Sequence, residues 1–225
     1  MFNEEASVEN VIREWIASIA GQVTGFVLLA IDDGSSDRTG EILVRLSDQY
    51  GGRMEWVKQA NVGHGQTCLR GYAEAAARKI PFVFQIDSDG QCDPQDFPKF
   101  WQARHSFDVI YGVRNGREDG LRRVVASKLL QLLLLLRANV WCPDANVPFR
   151  LMRIDAVEPM IAVIPSDFCL ANIALAVLLR RDSSVRHGSF PIRFHARTGG
   201  EPSVPLSNFF HKAVELYHQL ERLPR

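Results

Sequence analysis

Phe26-Val27-Leu28-Leu29-Ala30-Ile31 is an unbroken apolar run that stops at two carboxylates, Asp32 and Asp33. A strand with one wet face leaves every second residue polar, so an unbroken run suits a strand covered on both faces. The pattern returns along the chain. Met54 to Lys58 reads as a second strand, Phe82 to Ile86 as a third that ends at Asp87-Ser88-Asp89, Val109-Ile110-Tyr111 as a fourth, and Val185 to Phe194 as a last one. Helical periods lie between them. One runs from Ser7 to Ala20. A second carries Ile42, Leu43 and Leu46 on one face and is capped by Ser36 or Asp37. A third passes through Leu69, Tyr72, Ala73 and Ala76, and others cover 121–140, 167–179 and 206–223. This alternation predicts βαβ units and an α/β fold, a mainly parallel sheet flanked by helices. No linker or repeat interrupts it, so residues 1–225 read as a single domain. A doubly wound fold normally opens with a strand, whereas here a helix comes almost at once. The expectation is that the first strand is missing from this chain, through truncation at the N-terminus.

Twenty-six basic residues balance twenty-six acidic ones, which argues against a nucleic-acid binder. Cys68, Cys92, Cys142 and Cys169 form no C-x-x-C pair, so neither a thiolate zinc site nor a disulfide framework is expected at this length. Idle thiols in a reducing cytosol fit better. Met1 runs into Phe2-Asn3-Glu4-Glu5 with no signal-peptide pattern, which points to the cytoplasm. The longest apolar run, Leu129 to Leu136, is broken by Gln131 and falls short of the ~20 residues a spanning helix needs.

In sheets of this kind the ligand sits beyond the carboxyl ends of the strands. Both acidic clusters fall there. Asp87 and Asp89, one residue apart, can hold a hard cation and leave positions open for a diphosphate, with the Gln91 amide oxygen as a further ligand. An isolated D-x-D is more often a solvated turn; its place after Phe82–Ile86 reverses that preference. Asp32-Asp33-Gly34-Ser35-Ser36-Asp37 reads equally as a capped turn and as a carboxylate that accepts from a nucleotide base. Gly63 and Gly65 let backbone approach a ligand, while His64 alone reads first as a structural, hydrogen-bonded histidine. Arg114, Arg117, Arg122, Arg123 and Lys128 form a basic stretch that could be a solvated loop. An acidic crevice that takes a diphosphate needs such cations, which favours a phosphate-binding role, and Arg197 beside Gly199-Gly200 is a second candidate.

Taken in order, these pieces resemble the family 2 glycosyltransferases, most closely the dolichol- and polyprenol-phosphate mannosyl- and glucosyltransferase branch. The matching stretches are F-N-E-E at Phe2 to Glu5, I-D-D-G-S-S-D-R-T at Ile31 to Thr39 and N-V-G-H-G at Asn61 to Gly65. They continue with Q-I-D-S-D-G-Q-C-D-P at Gln85 to Pro94, P-F-R-L-M at Pro148 to Met152 and R-T-G-G at Arg197 to Gly200. The resemblance implies a GT-A nucleotide-diphospho-sugar transferase fold and an inverting transfer of a hexose from a GDP- or UDP-sugar. It implies that Asn3, Glu4, Glu5, Asp32, Asp33, His64, Asp87, Ser88, Asp89 and Arg114 bind the donor. It makes Asp87, Asp89 and Gln91 the ligands of Mg²⁺ or Mn²⁺, and Asp89, Arg117 and Arg197 the catalytic groups.

The strand and proline that precede F-N-E-E in the family are absent, as are the trailing transmembrane helices of many members. Its T-E-D-like base motif is also absent; Ser166-Asp167 is a poor echo of it. A sugar hydroxyl benefits from a general base, whereas a phosphate monoester with a second pKa near ~6 is already a nucleophile at neutral pH. The expected acceptor is therefore a polyprenyl or dolichyl phosphate at the cytoplasmic face of a membrane; the helix 121–140, apolar nearly all round, reads first as a buried core helix and close behind as a peripheral contact with that membrane. Two other readings compete: a sugar-nucleotide nucleotidyltransferase, and a non-catalytic binding subunit derived from the family.

Overall fold

The computed structural model describes residues 1–115, 121–168, 170–195 and 209–224, the side chains of 115, 121–126 and 209–212 excepted. Helix α1 (Val8–Ala20) repeats its apolar residues at helical spacing, and that stripe, Val8, Val11, Ile12, Trp15 and Ile16, is buried. Strand β1 (Leu28–Asp32) then runs through α2 (Thr39–Tyr50) into β2 (Met54–Lys58), which pairs with it in parallel. After α3 (His64–Ala77) the chain enters a second sheet through β3 (Phe82–Gln85). Next come α4 (Phe97–Ala103), β4 (Val109–Asn115), α5 (Leu121–Ala138), β5 (Arg150–Arg153), α6 (Ile154–Ile161), α7 (Ala171–Arg181), β6 (His187–Arg193) and α8 (Phe209–Gln219).

The second sheet has the order β3-β5-β4-β6. β4 and β6 are parallel, but β5 lies antiparallel between β3 and β4, so the sheet is mixed where a mainly parallel one is expected. The physical reason lies in the connection. The chain leaves β4 through α5 and re-enters the sheet as β5 after the buried Val147 and Phe149, paired antiparallel to both neighbours, so α5 does not serve as the crossover of a parallel βαβ unit.

Most of the core lies on this mixed sheet. Phe84, Phe97, Phe100 and Phe149 form a tilted aromatic cluster with Trp15. α7 is buried over nine consecutive residues, Ala171 to Leu179, and so is the helix that is enclosed all round. α5 is not. Leu134 is fully buried, but Leu129, Leu132, Leu135 and Leu136 are exposed, Leu136 at 78%. No described helix is long and apolar enough to cross a membrane.

Candidate active site

The carboxyl ends of β1 and β3 open onto one cavity of about 2120 Å³, lined among others by Asn3, Asp33, His64, Asp87, Asp89 and Arg114. Two loops build its wall. The segment Phe2–Glu5 is tied reciprocally to 35–39: Asn3 N–H donates to Ser35 Oγ at 2.9 Å, and Ser36 N–H donates to Asn3 Oδ1 at 2.9 Å. Asn3 adopts a left-handed φ of 52°, which asparagine tolerates better than most residues. Glu4 is buried, its N–H donates to Thr39 Oγ1 at 2.9 Å, and its carboxylate accepts from Ser7. Glu5 accepts the Arg38 N–H at 2.9 Å. These three residues therefore shape the loop by holding backbone.

Asp32 and Asp33 differ in role. Asp32 is fully buried, accepts the Ser35 N–H at 2.9 Å and stands 3.8 Å from the ammonium of Lys58, so it supports the loop from behind. Asp33 faces the cavity and holds the glycine loop. It accepts from Gln59 Nε2 at 2.7 Å and from the N–H groups of Val62 and Gly63, both at 2.9 Å. Burial pushes its pKa up, but these hydrogen bonds outweigh burial and hold it below the usual carboxylate range. The two loops meet at Gly34, φ 82°, where a Cβ would stand 2.9 Å from the Asn61 nitrogen. Gly63, φ 87°, then turns the chain into α3.

His64 opens α3. Its Nε2 lies 3.8 Å from Asp87 Oδ1, 3.6 Å from Cys68 Sγ and 3.5 Å from Asn172 Nδ2. The Cys68 sulfur and the Asp87 carboxylate raise its pKa to about 10. Beneath it, Tyr72 Oη sits 2.5 Å from Gln85 Oε1 and 3.1 Å from Asn172 Oδ1. This floor of Cys68, Tyr72, Gln85 and Asn172 escapes motif reading, because its members are single residues on α3, β3 and α7.

Asp87, Ser88 and Asp89 follow β3 and line the cavity. Ser88 offers its carbonyl to Ser7 Oγ at 3.2 Å, and Asp89 Oδ1 accepts the Gln91 N–H at 3.1 Å. Gln91 is buried and its amide nitrogen donates to the His195 carbonyl at 3.0 Å, so only its oxygen could turn to a cation. Among the described residues no group of three or more His, Cys, Asp or Glu side chains could enclose a metal. Two carboxylates at the mouth of a cavity fit Mg²⁺ or Mn²⁺ all the same, since these ions commonly take one or two carboxylates and complete their shell with substrate phosphate and water.

Arg114 lines the same cavity but is committed. Its guanidinium forks onto Asp144, Nε to Oδ2 at 2.6 Å and a terminal nitrogen to Oδ1 at 2.7 Å, and stacks 5.0 Å from the Phe194 ring. Asp144 stands in an irregular Trp141–Asn146 stretch that gives no periodic signal. Arg117 and Arg197 lie outside the described residues, as do the side chains of Arg122 and Arg123.

The sequence model of glycosyl transferase family 2 matches residues 1–160. The chain belongs to that family. Two curated relatives are undecaprenyl-phosphate 4-deoxy-4-formamido-L-arabinose transferases. That of Salmonella paratyphi A is 27% identical over 163 residues, 72% of this chain and 49% of the relative. That of Edwardsiella ictaluri is 24% identical over 226 residues, 100% of this chain and 67% of the relative. The chain thus spans about half the length of several curated relatives it matches, 49% for the first. Among solved structures, glucosyl-3-phosphoglycerate synthase from Mycobacterium tuberculosis, in complex with Mn²⁺, uridine diphosphate and phosphoglyceric acid, superposes with a TM-score of 0.68 at 18% identity. It covers 100% of this chain and 77% of that one. The fold is the GT-A fold.

Proposed function

We propose that the chain is an inverting glycosyltransferase that moves a hexose from a nucleotide-diphosphate sugar to a lipid phosphate, a polyprenyl or dolichyl phosphate. The observation that carries this reading is the pair Asp87 and Asp89 at the end of β3, facing the cavity that the loops Phe2–Glu5 and Asp33–Gly63 enclose. Asp87 and Asp89, with the Gln91 oxygen, would hold Mg²⁺ or Mn²⁺, which when bound supplies positive charge against the departing diphosphate. Asn3, Glu4, Glu5 and Asp33 fix the loops around the nucleoside. His64 and Arg114 stand on the phosphate side, and Arg117 and Arg197 are assigned there from the sequence. The donor is a GDP- or UDP-hexose.

An acceptor phosphate oxygen attacks the anomeric carbon from the face opposite the diphosphate. The new C–O bond forms as the old one breaks, and the electron pair leaves with the diphosphate oxygen. No proton moves. The surroundings favour this over a hydroxyl acceptor. Asp33 and Asp144 each accept fixed donors, and Asp167 is forked by Arg222 at 2.8 Å on both oxygens, so none of the three is poised as a base. The relatives named above support a lipid phosphate: their names specify undecaprenyl phosphate.

The test is release of nucleotide diphosphate from a panel of GDP- and UDP-hexoses with Mn²⁺ and a short polyprenyl phosphate. Asp89→Asn should lower kcat by a hundredfold or more, on the order of the charge stabilisation a metal site provides, with an unchanged melting temperature. Turnover that persists in EDTA, or in Asp89→Asn, would remove the metal assignment. Turnover with a hydroxyl acceptor and none with a phosphate would remove the acceptor.

A further inference from the structure

We propose that Asp93 and Arg193 are positioning residues for the carboxylates of Asp87 and Asp89: their ion pair locks the loop that carries both carboxylates onto the end of β6. The inference rests on the metal reading above and extends it to two residues that do not line the cavity.

Asp87 and Asp89 stand in a loop, because β3 ends at Gln85. A loop holds a small hard cation only where its backbone is fixed at both ends, since such an ion tolerates little error in ligand position. The ladder of β3 with β5 fixes the upstream end. The downstream end is fixed by the last residue of β6 and the two that follow it. Gln91 holds both main-chain groups of His195: its carbonyl accepts the His195 N–H at 2.8 Å, and its side-chain amide donates to the His195 carbonyl at 3.0 Å. Cys92 and Phe194 then form an antiparallel bridge, and both are buried.

Asp93 closes this junction. Its Oδ2 lies 3.1 Å from Arg193 Nε and 3.4 Å from His195 Nε2, while its Oδ1 accepts the Gln95 N–H at 2.8 Å. Asp96 accepts the Arg193 N–H at 2.7 Å and lies 3.6 Å from a terminal nitrogen of the same guanidinium. Asp96 also takes Lys99 at 2.8 Å, so the arginine side chain matters more to Asp93 than to Asp96. The Asp93 side chain is only 12% exposed, which spares the pair much of the screening a surface ion pair suffers. From here the link to the metal carboxylates is short. Asp93 lies two residues beyond Gln91, and the Gln91 N–H donates to Asp89 Oδ1 at 3.1 Å, so the direction of the Asp89 carboxylate follows this segment. The same strand end reaches the phosphate side of the cavity, because the Phe194 ring stacks 5.0 Å from the Arg114 guanidinium. Groups that orient metal ligands from behind govern affinity without touching the ion.

The experiment compares the full chain with Asp93→Asn, Arg193→Met and the double variant. Asparagine keeps the acceptor for the Gln95 N–H, and methionine keeps the main-chain bond to Asp96, so each variant should melt within about 3 °C of the parent. In metal-free protein, amide exchange at Ser88–Gln91 should quicken by about fivefold or more, with β4 unchanged. Mn²⁺ affinity, titrated with UDP or GDP present, should weaken by roughly tenfold, the lower end of what groups behind metal ligands contribute. The double variant should lose no more than the worse single one, because both remove the same interaction, and Arg193→Lys should recover part of the loss. Unchanged exchange at Ser88–Gln91, losses that add in the double variant, or a large fall in melting temperature for both single variants would overturn the proposal. Variants that bind Mn²⁺ as the parent does remove this role alone, whereas a parent that binds no Mn²⁺ with either nucleotide removes the metal reading and this role together.

Discussion

Arg114 reaches Asp144 with two arms, at 2.6 and 2.7 Å, from side chains only 13% and 9% exposed. An arginine expected to meet phosphate is thus neutralised before any ligand arrives. Removing one partner of a buried pair leaves the other charge uncompensated and typically costs ~3–5 kcal/mol. Arg114→Ala should lower the melting temperature by roughly 6–20 °C for a chain of this size. The double replacement Arg114→Leu with Asp144→Leu should recover more than half of that loss. A single variant that melts within about 2 °C of the parent, roughly 0.5–1 kcal/mol, would show that the pair contributes little to the fold.

Asp33 carries a related prediction. Its carboxylate satisfies Gln59 and the N–H groups of Val62 and Gly63, so Asp33→Ala strands several donors at once. Each buried unsatisfied group costs ~1–3 kcal/mol. The expected result is a clear fall in stability together with faster exchange at Val62 and Gly63. Asp33→Asn, which keeps one acceptor, should fall between. On the transferase reading KM for donor rises before kcat drops, because the disturbed loop binds ground and transition state alike. A stable Asp33→Ala protein with normal KM would refute both roles.

Much of this arrangement is legible before any coordinates. Unbroken apolar runs that end in Asp32-Asp33 and Asp87-Ser88-Asp89 put both clusters at strand ends, and the structure brings them to one cavity. β5 is different. Arg150 sits inside its four residues and is fully buried, and among the described residues it is held by main-chain carbonyls, donating to those of Ala145, Val147 and Asn172 at 2.7 to 2.8 Å. A charge in so short a segment hides the strand from a periodicity argument, and with it the antiparallel pairing. The leucines of α5 mislead in another way. A run that is apolar all round looks like a core helix, but burial depends on what covers each face, and that is a tertiary property.

Acid should act on the far end of the mixed sheet in two separate windows. Burial, with help from the Arg180 charge, lowers the His187 pKa to about 4 from an unperturbed value near 6.5. The unfolded chain takes up that proton first, so this contribution is complete above about pH 7 and is lost as the pH falls from 6.5 to 4. Asp108 is held at about 2 by hydrogen bonds from Arg186. Its contribution is present above the usual carboxylate pKa, near 3.9, and disappears only toward pH 2. Each window should be worth roughly 1–2 kcal/mol, discounted for partial exposure. Urea unfolding at pH 7, 5.5 and 4 checks this. His187→Gln should flatten the slope between pH 6.5 and 4, and Asp108→Asn should leave that slope intact.

The exposed face of α5 gives the last prediction. Leu129, Leu132, Leu135 and Leu136 stand out of the protein, and Leu129, Leu132 and Leu136 line a shallow hollow with Arg137 and Tyr217 of α8. Leu129 also lines the large cavity, so this apolar face is continuous with the proposed site. A lipid phosphate would bring its chain along such a face, and we expect α5 to rest on a bilayer surface with its leucines in the acyl boundary. Of the basic residues around this helix, Arg137 is already engaged within the protein. Arg137 pairs with Glu221 and stacks on Tyr217 at 5.0 Å, which leaves Lys128 as the exposed cation among the described side chains of α5. Binding should weaken between low and high salt, since each cation near an anionic surface contributes ~1 kcal/mol. Leu134 is fully buried, so replacing it would test the core instead. The informative variant is Leu132→Ser with Leu136→Ser, at positions 50% and 78% exposed. It should keep the parent melting temperature and lose co-sedimentation with vesicles of mixed zwitterionic and anionic lipid. Parent protein that stays in the supernatant at low salt, or a double variant that still sediments, would rule this face out as the membrane contact.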